Sequence, residues 1–176
     1  TCALPICGNC LVLAGAGPMG MAAVDYAIHA DRRPGKLVVT DINEKRLQRM
    51  ASIYTEEDAA DYGVQLFYKN TSGEDAEKEL MRLTEGKGFD DIIIMAPVPS
   101  VIEMADRLLG EDGCMNFFSG PSDETLAAKV NFYNIHYRKH HFIGTTGGRP
   151  EDMLESIRLV EEKRLNPSGL ITHVGG

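Results

Sequence analysis

The chain has 176 residues, 43% of them hydrophobic, with 18 basic and 26 acidic side chains and a formal net charge of −8. That length describes one domain, long enough to bury a core without disulfide or metal staples. An acidic balance with no basic block argues against nucleic acid and anionic membrane partners, and no apolar run approaches the roughly 20 residues that span a bilayer. No signal-peptide pattern is visible, so the cytoplasm is the expected location. The chain starts at Thr1 rather than Met and is expected to be a piece of something longer.

Residues 1–9 carry no periodic pattern and read as a linker or lead; residues 10–176 read as one dinucleotide-binding domain. Leu11 to Ala14 is a short apolar run of strand type. It empties into Gly15-Ala16-Gly17-Pro18-Met19-Gly20, and the Ala-rich stretch from Pro18 to Ala30 suits a helix. Lys36 to Asp41 is a second strand that ends in an acid. Asn43 to Ser52 is a helix with Leu47 and Met50 facing inward, and Thr55 caps a further turn or two. Val64 to Asn70 alternates and reads as a third strand. An amphipathic helix follows, ending at Gly86.

Phe89 to Pro97 is the fourth strand, and its unbroken Ile run suits a strand buried on both faces. The next helix is capped by Ser100 and closed by Gly110. Gly113 to Gly120 is strand five. The stretch from Val130 to His140 reads as a loop with a short helix. His141 to Gly148 is strand six, and Pro150 to Arg164 is the last helix, with Met153, Ile157 and Val160 as its inner stripe. Six alternations of strand and helix predict an α/β fold: a doubly wound parallel six-stranded sheet (Rossmann fold), strand order 3-2-1-4-5-6, with ligand across the strand ends near strands one and four.

Strand, glycine turn and helix give G-x-G-x-x-G its chemical meaning. Gly15 allows a tight turn, Gly17 lets backbone approach a pyrophosphate, and Gly20 lets the helix pack close to the strand. Free N–H groups at the helix start hold phosphate, and Pro18 at the first turn forfeits no helical bond. Asp41, 26 positions after Gly15, is placed to accept from both hydroxyls of an adenosine ribose and to repel a 2′-phosphate, so NAD is expected over NADP. A plainer reading makes Asp41, or Asn43, the cap of the following helix. The other strand tips, Ala96 to Val98, Ser119-Gly120 and Thr145-Thr146, combine small residues with hydroxyls, which suits a flat nicotinamide or its ribose and also suits ordinary turns.

No catalytic centre emerges. The histidines (His29, His136, His140, His141, His173) make no metal-ligand spacing, no G-x-S-x-G elbow is present, and no Tyr-x-x-x-Lys pair occurs. Cys7 and Cys10 form a C-x-x-C without the second ligand pair a structural zinc site needs. Neither a catalytic nor a metal-binding residue is therefore expected.

The stretches "LVLAGAGPMGMAAVDYAIHADRRPGKLVVTDINEKRL", "FDDIIIMAPVPSVIEMADRLLGEDGCMNFFSGP" and "NFYNIHY…FIGTTGG" resemble the cofactor-binding half of medium-chain, zinc-dependent alcohol dehydrogenases, nearest to the branch of L-sorbose-1-phosphate reductases and polyol dehydrogenases. The resemblance implies an NAD(P)(H)-dependent oxidoreductase acting on a polyol or sugar-phosphate alcohol or ketone. It places Gly15, Gly17, Pro18, Met19 and Gly20 in the pyrophosphate turn, Asp41 on the ribose and Arg46 beside it. Ala96 and Val98 fall in the loop after strand four, Ser119 and Gly120 on the nicotinamide side, and Thr145 and Thr146 near the carboxamide. It also implies a homo-oligomer paired through the sixth strand, and a catalytic zinc held on a separate domain absent from this chain. The fragment is then expected to bind the dinucleotide and not to catalyse alone. Two other classes use a similar turn: an NAD(H)-sensing regulatory module and an S-adenosylmethionine methyltransferase.

Overall fold

The computed structural model describes residues 7–144, 146–171 and 173–175. Six parallel strands form one sheet in the order β3-β2-β1-β4-β5-β6, the expected doubly wound arrangement. The strands are β1 (Asn9–Leu13), β2 (Lys36–Asp41), β3 (Gln65–Asn70), β4 (Phe89–Ile94), β5 (Leu109–Phe117) and β6 (His141–Gly144). The helices are α1 (Pro18–His29), α2 (Glu44–Ile53), α3 (Glu56–Asp61), α4 (Ala76–Leu83), α5 (Pro99–Leu108), α6 (Phe132–Tyr137) and α7 (Pro150–Glu161), with a 3-10 turn at Pro167–Leu170.

The central strand shows why the sheet is covered twice. Side chains alternate across a strand, and in β1 Leu11 and Leu13 enter one core while Cys10 and Val12 enter the other. The first core also holds Met21, Val24 and Ile28 of α1 and Leu47 and Met50 of α2. The second holds Leu80 of α4 with Ala105 and Leu108 of α5. Both layers are apolar, so β1, β2 and β4 read as near-continuous hydrophobic runs. The inward placing of Leu47 and Met50 agrees with the sequence reading.

Three expectations are corrected. The helix before β5 is not capped by Ser100. Pro99 takes the first helical position after Val98, because its fixed φ suits that place, and no side chain caps the end. Nor does Gly110 close that helix. Leu109 already belongs to β5, and Gly110 is a strand residue at a register shift between β4 and β5. A Cβ there would lie 3.0 Å from the Lys87 carbonyl oxygen, so close backbone passage, rather than helix termination, is what glycine serves.

The third correction concerns α7. Met153, Ile157 and Val160 face out, 68%, 49% and 40% exposed, and the residue α7 buries is Leu159. Helical spacing reveals a stripe but not the side on which a partner layer lies. Beyond β5 the two apolar cores thin out. Leu170 packs against the first core, and α7 and the residues after it are tied to the end of α1 by polar contacts: Arg158 and Arg164 reach Asp31 at 3.2 and 2.7 Å, and the Asn166 N–H donates to Asp25.

The sheet itself buries an acid away from the strand tips. Asp91, paired in register with Cys10, is 8% exposed, and burial, with Asp90 adding to it, pushes its carboxyl up to about 7. A carboxyl raised in the folded state favours folding fully below its unfolded value near 4, and that support is lost as the pH rises through 7. Asp91→Asn is therefore expected to raise the melting temperature at pH 8, to raise it much less at pH 4.5 and to leave it nearly unchanged at pH 3.5. Thermal melts of the two proteins across that range check the sign.

Candidate functional site

The tip of β1 is fastened to the tip of β2 by three successive amides. The Ala14 N–H donates to Thr40 Oγ1 at 3.3 Å, the Gly15 N–H to the Thr40 carbonyl at 2.7 Å, and the Ala16 N–H to Asp41 Oδ2 at 3.3 Å. To make these bonds Ala14 takes a left-handed conformation, φ +54°, which costs an alanine on the order of 1–2 kcal/mol. Bonds to the buried Thr40 and to an ionised acceptor offset that cost.

The turn then uses its glycines differently. A Cβ on Gly15 would lie 2.6 Å from Val12 Cγ1, and one on Gly20 would overlap the Gly15 carbonyl oxygen. These two serve close packing of α1 on the turn. Gly17 does not. It caps α1 with φ −91° and ψ 175°, a conformation open to any residue, and a Cβ there would meet nothing within 4 Å. No side chain caps α1, Pro18 occupies its first turn, and the first helical bond runs from Met21 to Gly17. The amides of Met19 and Gly20 have no intrahelical acceptor, as at any helix start, and Met19 is exposed.

Asp41 is buried and holds two elements at once. While Oδ2 takes the Ala16 amide, Oδ1 accepts the Asn43 N–H at 2.9 Å. It does not cap α2; Asn43 does, accepting from the Arg46 N–H at 3.2 Å. Each carboxylate oxygen keeps a further lone pair. Arg46 stands exposed on the first turn of α2. Beside Asp41, Ile42 is 72% exposed, a feature sequence reasoning passed over. Its signal is an apolar residue inside the polar run "DINEK". Thr40 was also passed over, and its hydroxyl is one of the three fastenings.

On the other side of β1, the Met95 N–H donates to the Leu13 carbonyl, and the Val98 N–H donates back to Ala96, closing a tight turn over Pro97. Val98 is partly exposed and opens α5. After β5 the Phe118 and Ser119 amides share the Ile94 carbonyl. Ser119 Oγ is buried with no hydrogen-bond partner, and Gly120 is exposed, with nothing within 4 Å of where a Cβ would stand. Thr146 is exposed after β6; Thr145 lies outside the described residues. The parallel registers Val12 with Val39, Leu13 with Ile94, and Phe117 with Gly144 put all these tips along one edge of the sheet. The turn, Asp41, Ala96, Val98, Ser119, Gly120 and Thr146 thus share the carboxyl ends of the strands.

The remaining candidates lie elsewhere. Cys10 is fully buried, and burial with Asp91 and Asp90 pushes its thiol far above the ordinary range, so it does not supply a thiolate. His140 has a buried side chain 3.7 Å from Asp106, away from the strand tips. Burial lowers its basicity, Arg138 and His141 add to that, and Asp106 opposes it. Among the described residues, no three His, Cys, Asp or Glu side chains gather where a metal ion would be held.

A family model described as zinc-binding dehydrogenase matches residues 18–162. The chain belongs to the zinc-binding dehydrogenase family. Over 170 residues it is 47% identical to mannitol-1-phosphate 5-dehydrogenase of Aliivibrio fischeri and 39% identical to L-sorbose 1-phosphate reductase of Klebsiella pneumoniae, each alignment taking 96% of this chain and 40% of the relative. The chain thus spans about 40% of the length of these relatives. Its fold also superposes on an alcohol dehydrogenase (rspB) of Escherichia coli CFT073 solved with NADH, with a TM-score of 0.76 at 20% identity, over 97% of this chain and 45% of that one. The family is one of oxidoreductases, and this chain of it forms a doubly wound domain.

The two kinds of glycine separate in a stability measurement. Gly20→Ala is expected to lower stability by about 1–3 kcal/mol or more, the range for overpacking a closed site. Gly17→Ala is expected to shift it by less than about 0.5 kcal/mol, as for a surface change. Urea unfolding of the two variants tests the contrast.

Proposed function

We propose that this chain is the NAD(P)(H)-binding domain of a zinc-dependent dehydrogenase acting on a polyol or sugar-phosphate alcohol or ketone. One observation carries the reading: the chain's own packing requires Gly15 and Gly20 but gives no reason for glycine at 17. Open space there, beside an uncapped helix start, is what a pyrophosphate needs in order to approach backbone. The family match supports a dehydrogenase over a sensing module or a methyltransferase.

The residues fit the group. Gly15, Gly17, Pro18, Met19 and Gly20 form the phosphate turn. Asp41, its two oxygens already fixed by backbone amides, presents its spare lone pairs to the adenosine ribose, with Arg46 alongside and Ile42 as an apolar wall for the base. Ala96 and Val98 bound the middle of the groove. Ser119 Oγ, buried and without a partner, is left to take a polar atom on the nicotinamide side, with Gly120 and Thr146 completing that end. A bound nicotinamide supplies two-electron exchange with an alcohol or a carbonyl. This chain's residues bind and orient it. The catalytic zinc belongs to the part of the enzyme that this chain does not include. The exposed edge of β6 with the outward stripe of α7 is where a second copy pairs. No helix is long and apolar enough to cross a membrane among the described residues.

The charge of Asp41 decides the cofactor, because a 2′-phosphate placed on it meets a fixed carboxylate. Calorimetric titration is expected to give saturable NADH binding and NADPH binding at least tenfold weaker, a difference of about 1.4 kcal/mol. Asp41→Ser is expected to narrow that ratio, and Gly17→Val to weaken both cofactors while the protein stays folded. Absence of binding of either cofactor overturns the reading. Equal losses of NADH and NADPH in Asp41→Ser overturn the ribose role and leave Asp41 as a fastening alone.

A further inference from the structure

The connection that returns from β5 to β6 closes on one buried pair, Asp106 and His140. Asp106 stands in the last turn of α5, and its Oδ2 accepts the Asn131 N–H at 2.9 Å. Asn131 in turn caps α6, its side chain accepting the Tyr133 N–H at 3.0 Å. At the far end of α6 the Asn134 carbonyl accepts the Arg138 N–H at 2.9 Å and the His140 N–H at 3.4 Å. Lys139, between them, takes a left-handed φ of +56°, unfavourable for a residue with a Cβ. His140 follows with its side chain wholly buried. Little else holds α6. It buries no residue of its own, and Phe132, Tyr133 and Tyr137 are all exposed. A helix with so little buried apolar surface belongs to the low-stability end of a fold.

The contact between the two buried side chains is polar and unfinished. His140 Nδ1 stands 3.7 Å from Asp106 Oδ1, beyond hydrogen-bond reach. That oxygen and both ring nitrogens are buried without a hydrogen-bond partner. Unmade bonds of this kind are costly for a neutral ring and costlier for an imidazolium, which carries two N–H donors. Of the charged groups around the ring, Asp106 of α5 favours the imidazolium, while Arg138 at the end of α6 and His141 of β6 oppose it. Asp112 of β5 is engaged with His141 at 3.0 Å. Burial outweighs Asp106 and holds His140 below the ordinary histidine range. A histidine whose basicity falls on folding supports the closed arrangement fully above its unfolded value of about 6.5, and that support is lost as the pH falls below it.

We propose that the His140–Asp106 contact is a proton-operated latch on residues 131–140: with the ring neutral the segment closes against α5, and proton uptake by the ring opens it to water. Opening changes how the exposed aromatic face of α6 is presented, and it is independent of the dinucleotide groove. Amide hydrogen exchange of the whole chain, read by mass spectrometry and corrected for its intrinsic pH dependence, is expected to quicken by about threefold or more in peptides covering 131–140 between pH 7.5 and pH 5. Peptides of β1 and β2 are expected to stay protected. His140→Leu takes no proton, so the acceleration is expected to vanish. Asp106→Asn keeps an acceptor for the Asn131 N–H and removes the charge that favours the imidazolium, so the His140 ring, followed by NMR, is expected to titrate at lower pH than in the parent. Equal exchange of 131–140 at the two pH values overturns the proposal, and so does an acceleration that survives in His140→Leu. A His140 ring whose titration Asp106→Asn leaves unmoved, or which titrates in the parent at or above about 6.5, overturns it as well.

Discussion

Everything at the functional edge depends on how the first turn is fastened to the second strand. Ala14, Gly15 and Ala16 donate in succession to Thr40 Oγ1, the Thr40 carbonyl and Asp41. A left-handed alanine is tolerated because three bonds would otherwise be lost. The consequence is a division of labour within one glycine motif. The amides before Gly17 are spent on the protein, and those of the first turn of α1 are not. A turn held this way presents donors without first having to order itself, which lowers the entropic cost of binding anything anionic there.

Asp41 shows how one carboxylate can hold two elements of the fold and, on the proposed reading, serve specificity as well. Its oxygens fix the turn through Ala16 and the start of α2 through Asn43. The same bonds fix the direction of the lone pairs that remain. A side chain so held has little freedom to swing aside for a bulkier, charged ribose substituent. On the proposed reading, discrimination by Asp41 rests on immobility as much as on charge. A serine in its place would give up a charge and one of two fastenings, so substitution at this position mixes specificity with preorganisation.

Much of this was legible in the sequence. Strand two was read at Lys36–Asp41 with the bounds the structure gives, because an apolar run between Gly35 and an acid has little freedom. Strand order followed from six alternations and the glycine turn. What misled was of two kinds. Gly110 looks like a helix stop, and sequence does not distinguish a glycine that ends a helix from one that lets backbone pass. The stripe Met153, Ile157 and Val160 has helical spacing, but its direction depends on which neighbours cover α7, and those are not encoded in its period. At the site, Ile42 and Thr40 went unread because neither belongs to the G-x-G-x-x-G pattern. Their places come from the register between β1 and β2.

The outward stripe also bears on how the domain is built. Both cores thin out past β5, and β6 with α7 contributes one deeply buried apolar side chain among the described residues, Leu159. Exposed ion pairs such as those of Asp31 with Arg158 and Arg164 are individually weak, so they register α7 without anchoring it strongly. An apolar helix face and an unpaired strand edge on the same side are a liability in an isolated domain. They are unremarkable where further protein covers them, and the chain spans about 40% of its relatives' length. The side of the sheet with α1, α2 and α3 is closed by this chain's own residues. The β6 side is the one whose stability is expected to depend on what packs against it.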